Sequence, residues 1–231
     1  MLNSLTNIYR TRKLKLSKSC QIPNLKKIYR QVFGDCSSGT FVEVGAFDGE
    51  SFSNTSGLAD FGWRGLYIEP IAELAEQCKQ RHANNQVQVV TCGVGEKPDE
   101  IELNMSGQLS TFSQDTKDAY GSITWASDFQ FKPRRVSIDT LPNIIEKIHF
   151  PTKFDLLVVD VEGFEEQVFN GIDLKTLDIT MIIVELIDEH PDFAPHAELQ
   201  ASAKRVRKHI IHCGYTPIFS DMVNTVFMKI R

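Results

Sequence analysis

The sequence predicts a doubly wound α/β domain built on a mostly parallel sheet. Strand-like and helix-like segments alternate after residue 39, which favours parallel strands joined by helices. The strand predicted over residues 154–161 is apolar almost throughout, as expected when helices cover both faces of the sheet. A length of 231 residues, of which 42% are hydrophobic, suits one such domain, and we place it over residues 35–231.

The first half of the domain is predicted to contain three strands and two helices. The third strand is dominated by β-branched residues, and the second helix carries its apolar side chains on one face. The predicted strands cover residues 41–44, 66–68 and 87–92, and the predicted helices cover residues 53–61 and 71–83.

The second half contains alternating, half-exposed strands followed by buried ones. Strands are predicted over residues 100–105, 134–140, 154–161 and 181–186, helices over residues 165–170 and 199–213, and a final hairpin over residues 217–219 and 225–230. Residues 106–133 show no clear period, and a connection of that length is usually functional or mobile. Its aromatic side chains are expected to cover a substrate site: Phe112, Tyr120, Trp125, Phe129 and Phe131.

The charge distribution sets the N-terminal residues apart. Residues 1–30 carry eight Lys or Arg and no acid, so 17 of the 25 basic groups and all 30 acidic groups lie beyond them. We interpret residues 1–34 as a basic helical extension that docks on its own acidic domain, binds an anionic surface, or serves as a targeting peptide. Residues 106–133 have no basic stripe between their aromatics, which argues against a nucleic-acid site.

The cysteines predict a reducing compartment. Their number is odd and none forms a CxxC pair: Cys20, Cys36, Cys78, Cys92 and Cys213. Reduced thiols are expected in the cytoplasm, whereas a disulfide frame or a zinc site needs paired spacings. No apolar run is long enough to span a bilayer.

The end of the first strand predicts a ligand site without a phosphate. Gly45 and Gly49 allow a tight turn and close approach of a ligand, but Phe47 stands where a dinucleotide fingerprint has its second glycine. Asp48 in this turn would repel a pyrophosphate and suits an ammonium group or a sugar hydroxyl. Glu43 adds a second carboxylate near the strand end.

The end of the second strand carries a further acid. Glu69 follows Gly49 by 20 residues, a spacing at which a carboxylate accepts hydrogen bonds from both hydroxyls of a ribose. A ribose and an ammonium group without a phosphate are the outline of S-adenosylmethionine.

The sequence resembles the FkbM family of class I S-adenosylmethionine-dependent methyltransferases over residues 35–230. The segments that carry this resemblance are FVEVGAFDGESFSNT (41–55), GWRGLYIEP (62–70), VTCGVGE (90–96), VSIDTL (136–141), LLVVDVEGFEEQVFNG (156–171) and IIVEL (182–186). The resemblance implies a Rossmann-like, seven-stranded sheet with an antiparallel last strand. It also implies methyl transfer to oxygen, on a hydroxyl of a carbohydrate or natural-product acceptor.

The resemblance also implies a set of cofactor-binding residues. They are Glu43, Gly45, Ala46, Phe47, Asp48, Gly49, Asn54, Glu69, Pro70, Cys92, Gly93, Val94, Asp160 and Val161. Residues 91–95 depart from the pattern, because they contain no acid where many class I enzymes place one for the adenine amino group.

Three residues are candidates for catalysis. Asp160 and Glu162 lie at the exit of the strand predicted over residues 154–161, and His190 follows the strand predicted over residues 181–186, so each could accept a proton from a hydroxyl. Alternatively, Asp160 binds the cofactor, Glu162 starts a helix and His190 is surface. Asp188 and Glu189 could join Asp160 and His190 around a divalent ion, but no diagnostic spacing is present and no metal is predicted.

Two other functions remain open at this point. The domain could bind S-adenosylmethionine without turnover, as a module in an assembly. It could also be an NAD-dependent oxidoreductase. The oligomeric state is not predicted.

Overall fold

The strands form two sheets in a computed structural model that describes residues 13–230. Their bounds are β1 (Thr40–Val44), β2 (Arg64–Ile68), β3 (Val87–Val90), β4 (Gly93–Val94), β5 (Asp99–Met105), β6 (Lys132–Asp139), β7 (Lys153–Val159), β8 (Asp178–Glu185), β9 (Tyr215–Ser220) and β10 (Asn224–Lys229). The helices are α1 (Leu25–Phe33), α2 (Ser56–Phe61), α3 (Ala72–Arg81), α4 (Gln114–Ser122), α5 (Leu141–Lys147), α6 (Glu165–Asn170) and α7 (Ala197–His212).

The main sheet has the predicted Rossmann-like topology. Its order within the described residues is β3-β2-β1-β7-β8-β10-β9, and β10 runs antiparallel to both of its neighbours. The last strand in the chain is therefore reversed, as the resemblance implied. The sheet order turns around between β1 and β7, which is where ligands of doubly wound sheets bind.

The parallel register brings four strand ends to one edge. Val44 at the end of β1 is level with Ile68 in β2 and with Val159 in β7. Val159 is in turn level with Val184 in β8. The polar residues that follow these positions must consequently lie close together.

Two apolar layers cover the faces of this sheet. Phe41, Trp63 and Tyr67 belong to one layer, and Val42 and Leu157 belong to the other. Successive residues of β1 point to opposite faces, and Phe41 and Val42 are both fully buried. The continuous apolar character of the central strands follows from this double coverage.

The segment before β1 packs onto the domain. Leu25 and Tyr29 of α1 are fully buried, and the Tyr29 hydroxyl donates to the backbone oxygen of Asn54 at 2.7 Å. Further back, Leu14 and Ile22 are buried in the same layer. The apolar residues proposed to pack at the start of the chain, Leu2, Leu5, Ile8 and Tyr9, lie outside the described residues.

Residues 106–133 contain a helix that sequence patterning misses. Ser113 begins α4 as an N-cap, since its hydroxyl accepts the backbone N–H of Thr116 at 3.1 Å. The helix buries only Thr116, Ala119 and Tyr120, so its apolar periodicity is weak. The strands β5 and β6 on either side join β4 in a separate three-stranded sheet, which was not predicted as a separate unit.

Some helix boundaries differ from the predicted ones because of local turns. The helix predicted from residue 53 begins only at Ser56, because the Ser53 hydroxyl accepts the backbone N–H groups of Thr55 and Ser56 and holds a turn. The helix α5 was not predicted, although Thr140 caps it and a proline stands in its first turn. All five cysteines are free, and no helix among residues 13–230 is both long and apolar enough to cross a bilayer.

Candidate functional site

A cavity of about 260 Å³ opens at the edge where β1, β2, β7 and β8 end. Its walls come from the turns after these strands, from β4, and from α4. The segment before α1 contributes Gln21, whose side-chain oxygen accepts a hydrogen bond from the Asn224 amide at 3.4 Å. The cavity therefore lies at the position expected for the ligand of a doubly wound sheet.

Glu43, the penultimate residue of β1, is only 3% exposed, and both of its carboxylate oxygens accept hydrogen bonds. Its carboxylate accepts the Ser53 hydroxyl at 2.9 Å, the backbone N–H of Asn54 at 3.2 Å and the Thr55 hydroxyl. Burial raises the pKa of Glu43 to about 7, against the lowering effect of these hydrogen bonds. The carboxylate thus fixes the turn of residues 53–55 to the floor of the cavity.

Gly45 lets the backbone after β1 pass close to β7. Its φ is +85°, and a Cβ atom placed there would lie 1.7 Å from the backbone oxygen of Asp160. Its N–H donates to the Ile68 oxygen at 3.0 Å, which ties the turn to β2. Only glycine fits this position without moving the strand ends apart.

Glu69, directly after β2, is 5% exposed and lines the cavity. One carboxylate oxygen accepts the backbone N–H of Phe47 and the other that of Ile71, both at 2.9 Å. Burial raises its pKa to about 7, and the two N–H donors oppose that rise. Glu69 consequently holds the turn after β1 and the start of α3 in one arrangement, with lone pairs left for a ligand.

The turn after β7 presents Glu162 to the cavity. Glu162 has φ +53° and the following Gly163 has φ +87°, so two successive residues adopt the left-handed conformation. Thr111 holds this turn by donating its hydroxyl to the Glu162 backbone oxygen at 2.6 Å. The Glu165 carboxylate accepts the N–H groups of Val161 and Gly163 at 3.1 and 3.2 Å. A non-glycine residue held at positive φ is a feature of functional sites.

Three carboxylates meet in the cavity and form what we call the acidic cluster: Asp160, Glu162 and Glu185. One oxygen from each lies within 4.8 Å of the others. None of the ion pairs formed by residues 13–230 involves these three groups. Like charges are therefore held together without a basic side chain paired to them.

Burial raises the pKa of all three groups in the acidic cluster. For Glu162 and Glu185 the rise is large, because the charges of neighbouring carboxylates add to the burial. A hydrogen bond shared by Glu185 and Asp160 raises the pKa of Glu185 further and lowers that of Asp160.

Aromatic side chains lie beside the acidic cluster, and we call Tyr120, Trp125 and Phe193 the aromatic wall. The Tyr120 hydroxyl donates to a Glu162 carboxylate oxygen, and the Tyr120 ring lies 5.9 Å from Trp125 and 6.0 Å from Phe193. Trp125 is 52% exposed, and its indole N–H donates to Asp192 at 2.8 Å. A large aromatic face held by a hydrogen bond at a cavity mouth suits a ring-shaped substrate.

Most of the residues predicted from the sequence line this cavity. They are Glu43, Gly45, Ala46, Phe47, Glu69, Pro70, Cys92, Gly93, Val94, Asp160, Val161, Glu162 and His190. Gly93, one of the predicted cofactor residues, lies against the Phe112 ring, which a Cβ atom on Gly93 would meet at 2.8 Å. His190 lies at the rim, where its ring contacts Phe193 and its Nδ1 accepts the N–H of Asp192.

Three of the predicted cofactor residues are not among the lining residues: Asp48, Gly49 and Asn54. The Asp48 carboxylate accepts the N–H groups of Glu50 and Ser51 and the Ser51 hydroxyl, so it stabilises its own turn. Gly49 packs against α3, since a Cβ atom there would lie 2.6 Å from the Cys78 sulfur. Asn54 turns its side chain toward Cys20. The structure thus places no ligand-facing carboxylate at Asp48.

The ion site considered from the sequence does not form. Both carboxylate oxygens of Asp188 are taken by Arg207, at 2.6 and 2.7 Å. The acid that instead joins Asp160 is Glu185, which sequence reasoning missed. Glu185 ends a buried strand that lies next to β7, and the rule that parallel strand ends meet would have found it.

Comparison with known proteins identifies the domain. A family model described as the methyltransferase FkbM domain matches residues 43–217. The O-methyltransferase TomG from Streptomyces achromogenes, solved with S-adenosylmethionine, is 15% identical, with 90% of this chain and 78% of that chain covered at a TM-score of 0.50. The cofactor-bound Rv0187 from MTB is 13% identical, with 93% and 84% covered at a TM-score of 0.53.

At these identities the two solved structures show a shared fold. They support the Rossmann-like, doubly wound assignment derived from the strand order. Among curated proteins, none matches the sequence.

Proposed function

The chain belongs to the FkbM methyltransferase domain family, and we propose that it transfers the methyl group of S-adenosylmethionine to a hydroxyl of a carbohydrate or a natural-product small molecule. The observation that carries the choice of a hydroxyl is the acidic cluster beside the aromatic wall. A hydroxyl acceptor must lose a proton, and the cluster offers carboxylates for it within one cavity.

The cavity fits S-adenosylmethionine better than a dinucleotide. S-adenosylmethionine supplies an already activated methyl group on a positively charged sulfur. Glu69 offers lone pairs to a sugar, and the acidic cluster gives the cavity a negative potential that attracts a cation. The same charges would repel a pyrophosphate, which argues against the NAD-dependent oxidoreductase hypothesis.

The residues of the chain would contribute mainly by position. Glu43 and Glu69 fix the two turns that border the cavity, and Gly45 lets the backbones of β1 and β7 approach. Holding two reactants in one geometry supplies roughly 7–11 kcal/mol of barrier reduction in well-oriented reactions.

Glu162 is the residue we propose to accept the proton. Burial and the charge of Asp160 raise its pKa well above the ordinary value, which makes its ionised form a stronger base. Tyr120 orients the carboxylate through its hydroxyl. As the acceptor oxygen forms its bond to the methyl carbon, its proton passes to Glu162, and the bond from that carbon to sulfur breaks.

The acceptor is proposed to enter along the aromatic wall. Trp125 exposes a face at the cavity mouth, and His190 lies near it, since Asp192 accepts the Trp125 indole N–H and donates its own N–H to His190. Aromatic faces bind sugar rings and flat apolar compounds by stacking. The basic extension, the cytoplasmic location and the absence of a nucleic-acid partner remain predictions from the sequence.

The test is a transfer screen with a labelled methyl donor. The full chain is incubated with labelled S-adenosylmethionine and a panel of glycans, hydroxylated small molecules and cell extract, and mass spectrometry locates the label. We expect the label on an oxygen, with the rate reduced about 10²–10⁴-fold in Glu162→Gln. Asp118→Asn, which removes an exposed acid from α4, is the control and should retain the rate.

Two results would change the proposal. Label on a nitrogen or a protein side chain would keep the methyltransferase and overturn the hydroxyl acceptor. Tight binding of S-adenosylhomocysteine with no transfer to any member of the panel would favour the alternative, a binding module without turnover.

A further inference from the structure

We propose that a positively charged surface on the segment before β1 docks the protein on an anionic lipid bilayer. The side chains of this basic surface are exposed or half-buried, and they belong to Lys13, Lys15, Lys18, Lys26, Lys27 and Arg30. Docking on lipid needs neither a methyl donor nor an acceptor, so the proposal goes beyond the proposed methyl transfer.

Helix α1 carries its apolar and its basic side chains on different sides. Leu25 and Tyr29 are fully buried and lie on the side that packs on the domain. Lys26, Lys27 and Arg30 stand at positions that the helical rotation of about 100° per residue turns away from that side. No acid is present in the helix. The solvent side of α1 is consequently basic, with no acid of its own to weaken the attraction of an anionic partner.

The lysines before α1 lie on the same side of the domain as the helix. The Ser19 hydroxyl accepts the backbone N–H of Phe52 at 2.8 Å. The Tyr29 hydroxyl of α1 donates to the backbone oxygen of Asn54 at 2.7 Å. The two segments are thus attached to one turn, and their buried side chains belong to the same apolar layer. Their positive charges are therefore concentrated on one side of the protein.

The basic surface has no acidic partner within the described part of the chain. None of its six side chains forms an ion pair there. Two acids, Glu50 and Asp60, share a shallow groove with Lys15 and Lys18, but both are paired with Arg81. The surface consequently keeps its positive charge available for a partner outside the domain.

The remainder of the protein has the opposite charge. Beyond residue 30 the sequence carries 17 basic and 30 acidic groups. An anionic bilayer repels that part and attracts the basic surface, so the protein can approach it from one side only. Each Lys or Arg near an anionic bilayer strengthens binding about fivefold.

Two features favour a lipid surface over a nucleic acid. Five of the six basic residues are lysines, which act as point charges and lack the planar fork with which arginine grips single phosphates. Single-stranded nucleic acids also need exposed aromatic faces for stacking. The aromatic residues of α1 do not offer them, because Tyr29 is fully buried and Phe33 is half-buried.

An exposed apolar side chain lies near the same segment. Met222, in the turn between β9 and β10, is 55% exposed. Two residues later the Asn224 amide donates to Gln21, three residues after Lys18. A flexible apolar side chain beside lysines suits the boundary between headgroups and acyl chains. Gln21 and Val223 both line the cavity, so a bilayer docked here would border the candidate site.

The test is cosedimentation of the full chain with vesicles of phosphatidylcholine, either alone or with about one third phosphatidylserine. We expect binding to the anionic vesicles only, and weaker binding as salt is added, because salt screens exposed charges. The triple variant Lys26→Gln/Lys27→Gln/Arg30→Gln should bind about a hundredfold more weakly, at about fivefold for each charge. Met222→Ser should bind about threefold more weakly, since it removes an apolar contact with the acyl chains.

The matched control is the triple variant Lys175→Gln/Lys204→Gln/Lys208→Gln. It removes the same charge from exposed positions, and the neighbouring buried side chains belong to the apolar layer on the other face of the sheet. The control should bind anionic vesicles as the wild-type chain does. Thermal melting of all variants establishes that they are folded.

Several outcomes would overturn the proposal. One is a wild-type chain that binds neither kind of vesicle, or both kinds equally. Another is a folded α1 triple variant that binds as the control does. Tighter binding to a single-stranded RNA oligonucleotide than to the anionic vesicles, at the same salt, would make the partner a nucleic acid. Unchanged binding of Met222→Ser would overturn the part assigned to Met222. None of these measurements uses a methyl donor, so the docking surface and the proposed function fail separately.

Discussion

Two groups of carboxylates border the same cavity but differ in the hydrogen-bond donors that surround them. The strand-end pair, Glu43 and Glu69, accepts hydrogen bonds from backbone N–H and hydroxyl donors on all four oxygens. In the acidic cluster the carboxylates face one another, and the Tyr120 hydroxyl is the one neutral donor that reaches them from another part of the described chain. Both groups have raised pKa values, and burial is the largest cause in each. The charges of neighbouring carboxylates add to the rise for Glu162 and Glu185, whereas the charge of Asp160 is only a minor cause for Glu43.

The contrast separates carboxylates that build the site from those left available for chemistry. A carboxylate whose lone pairs are used by donors holds loops in place, and its burial is largely offset. A carboxylate among other carboxylates lowers stability until a proton, a cation or a substrate reaches it. Natural proteins tolerate such strain where function requires it.

The largest expected effect comes from the strand-end pair. Glu69→Ala leaves the buried N–H groups of Phe47 and Ile71 without an acceptor, at a cost of roughly 1–3 kcal/mol each. The turns that border the cavity should then move apart. We expect the affinity for S-adenosylhomocysteine, measured by calorimetry, to fall by at least about a hundredfold.

Glu73→Ala is the matched control for this variant. Glu73 stands on the exposed side of α3 and pairs with Arg134. Its removal should leave the affinity unchanged. Unaltered binding in Glu69→Ala would contradict the role we give to the strand-end pair.

A smaller effect, of opposite sign, is expected from the acidic cluster. Glu185→Gln keeps the shape of the side chain and removes a group whose pKa is raised well above its ordinary value. Each unit of such a rise corresponds to about 1.4 kcal/mol of destabilisation once the pH exceeds the folded pKa. We therefore expect a higher melting temperature at pH 8, by about 2–4 °C for each kcal/mol regained.

The stability of the wild-type chain should depend on pH through its buried carboxyl groups. Burial raises the pKa of Glu43 from 4.5 to about 7, so its contribution to stability is fully present below pH 4.5 and is lost as the pH rises to about 7. Surface acids with a lowered pKa, such as Glu166 beside Arg205, act in the opposite sense only below about pH 4.5.

Melting temperatures should accordingly fall between pH 5 and pH 8, and the gain from Glu185→Gln should be small at pH 5. A wild-type chain that becomes more stable over this interval would show that the folded carboxyls ionise freely. A variant less stable than the wild type at pH 8 would show that Glu185 is held by donors, as the strand-end pair is.

The smallest effect on ligand affinity is expected from Tyr120, which contacts the acidic cluster but not the strand-end pair. Tyr120→Phe removes the one hydroxyl that orients Glu162 and leaves the strand-end pair untouched. We expect affinity for S-adenosylhomocysteine to stay within about twofold, because one net hydrogen bond is worth only about 1 kcal/mol and this one does not reach that side. With an identified acceptor, the rate of methyl transfer should fall about tenfold at neutral pH.

The rate profile separates orientation from packing. The Tyr120 hydrogen bond lowers the pKa of Glu162, so its loss should move the rise of activity to higher pH. A uniform loss of rate at every pH would point to a packing defect in α4 instead.

The strand ends were predictable because they follow from a repeating physical rule. Apolar strands ending in Glu43, Glu69 and Asp160 mark one edge of a parallel sheet, and the structure brings these residues together. Asp48 was expected to face the ligand because it stands in the glycine turn, but the N–H groups of its own turn capture its carboxylate first. Hydrogen bonds between a side chain and the backbone of its own turn cannot be recognised from the spacing of residues in the sequence.

The rest of the site depends on contacts distant in sequence. Thr116 and Tyr120 reach the cavity from a helix whose weak apolar pattern hid it, and only the fold shows that they meet Gly163 and Glu162 in the turn after β7. Glu185 lies in the site because β7 pairs with β8, which the rule for parallel strand ends predicts although no pattern within either strand does.

The contact between Gln21 and Asn224 joins positions 203 residues apart along one wall of the cavity. Asn224 is the first residue of β10, which lies between β8 and β9 in the sheet. During synthesis on the ribosome this wall cannot close until Asn224 has emerged. A nascent chain that stops short of β10 therefore lacks the finished pocket, and any help that a bound small molecule gives to folding begins only once β10 is available.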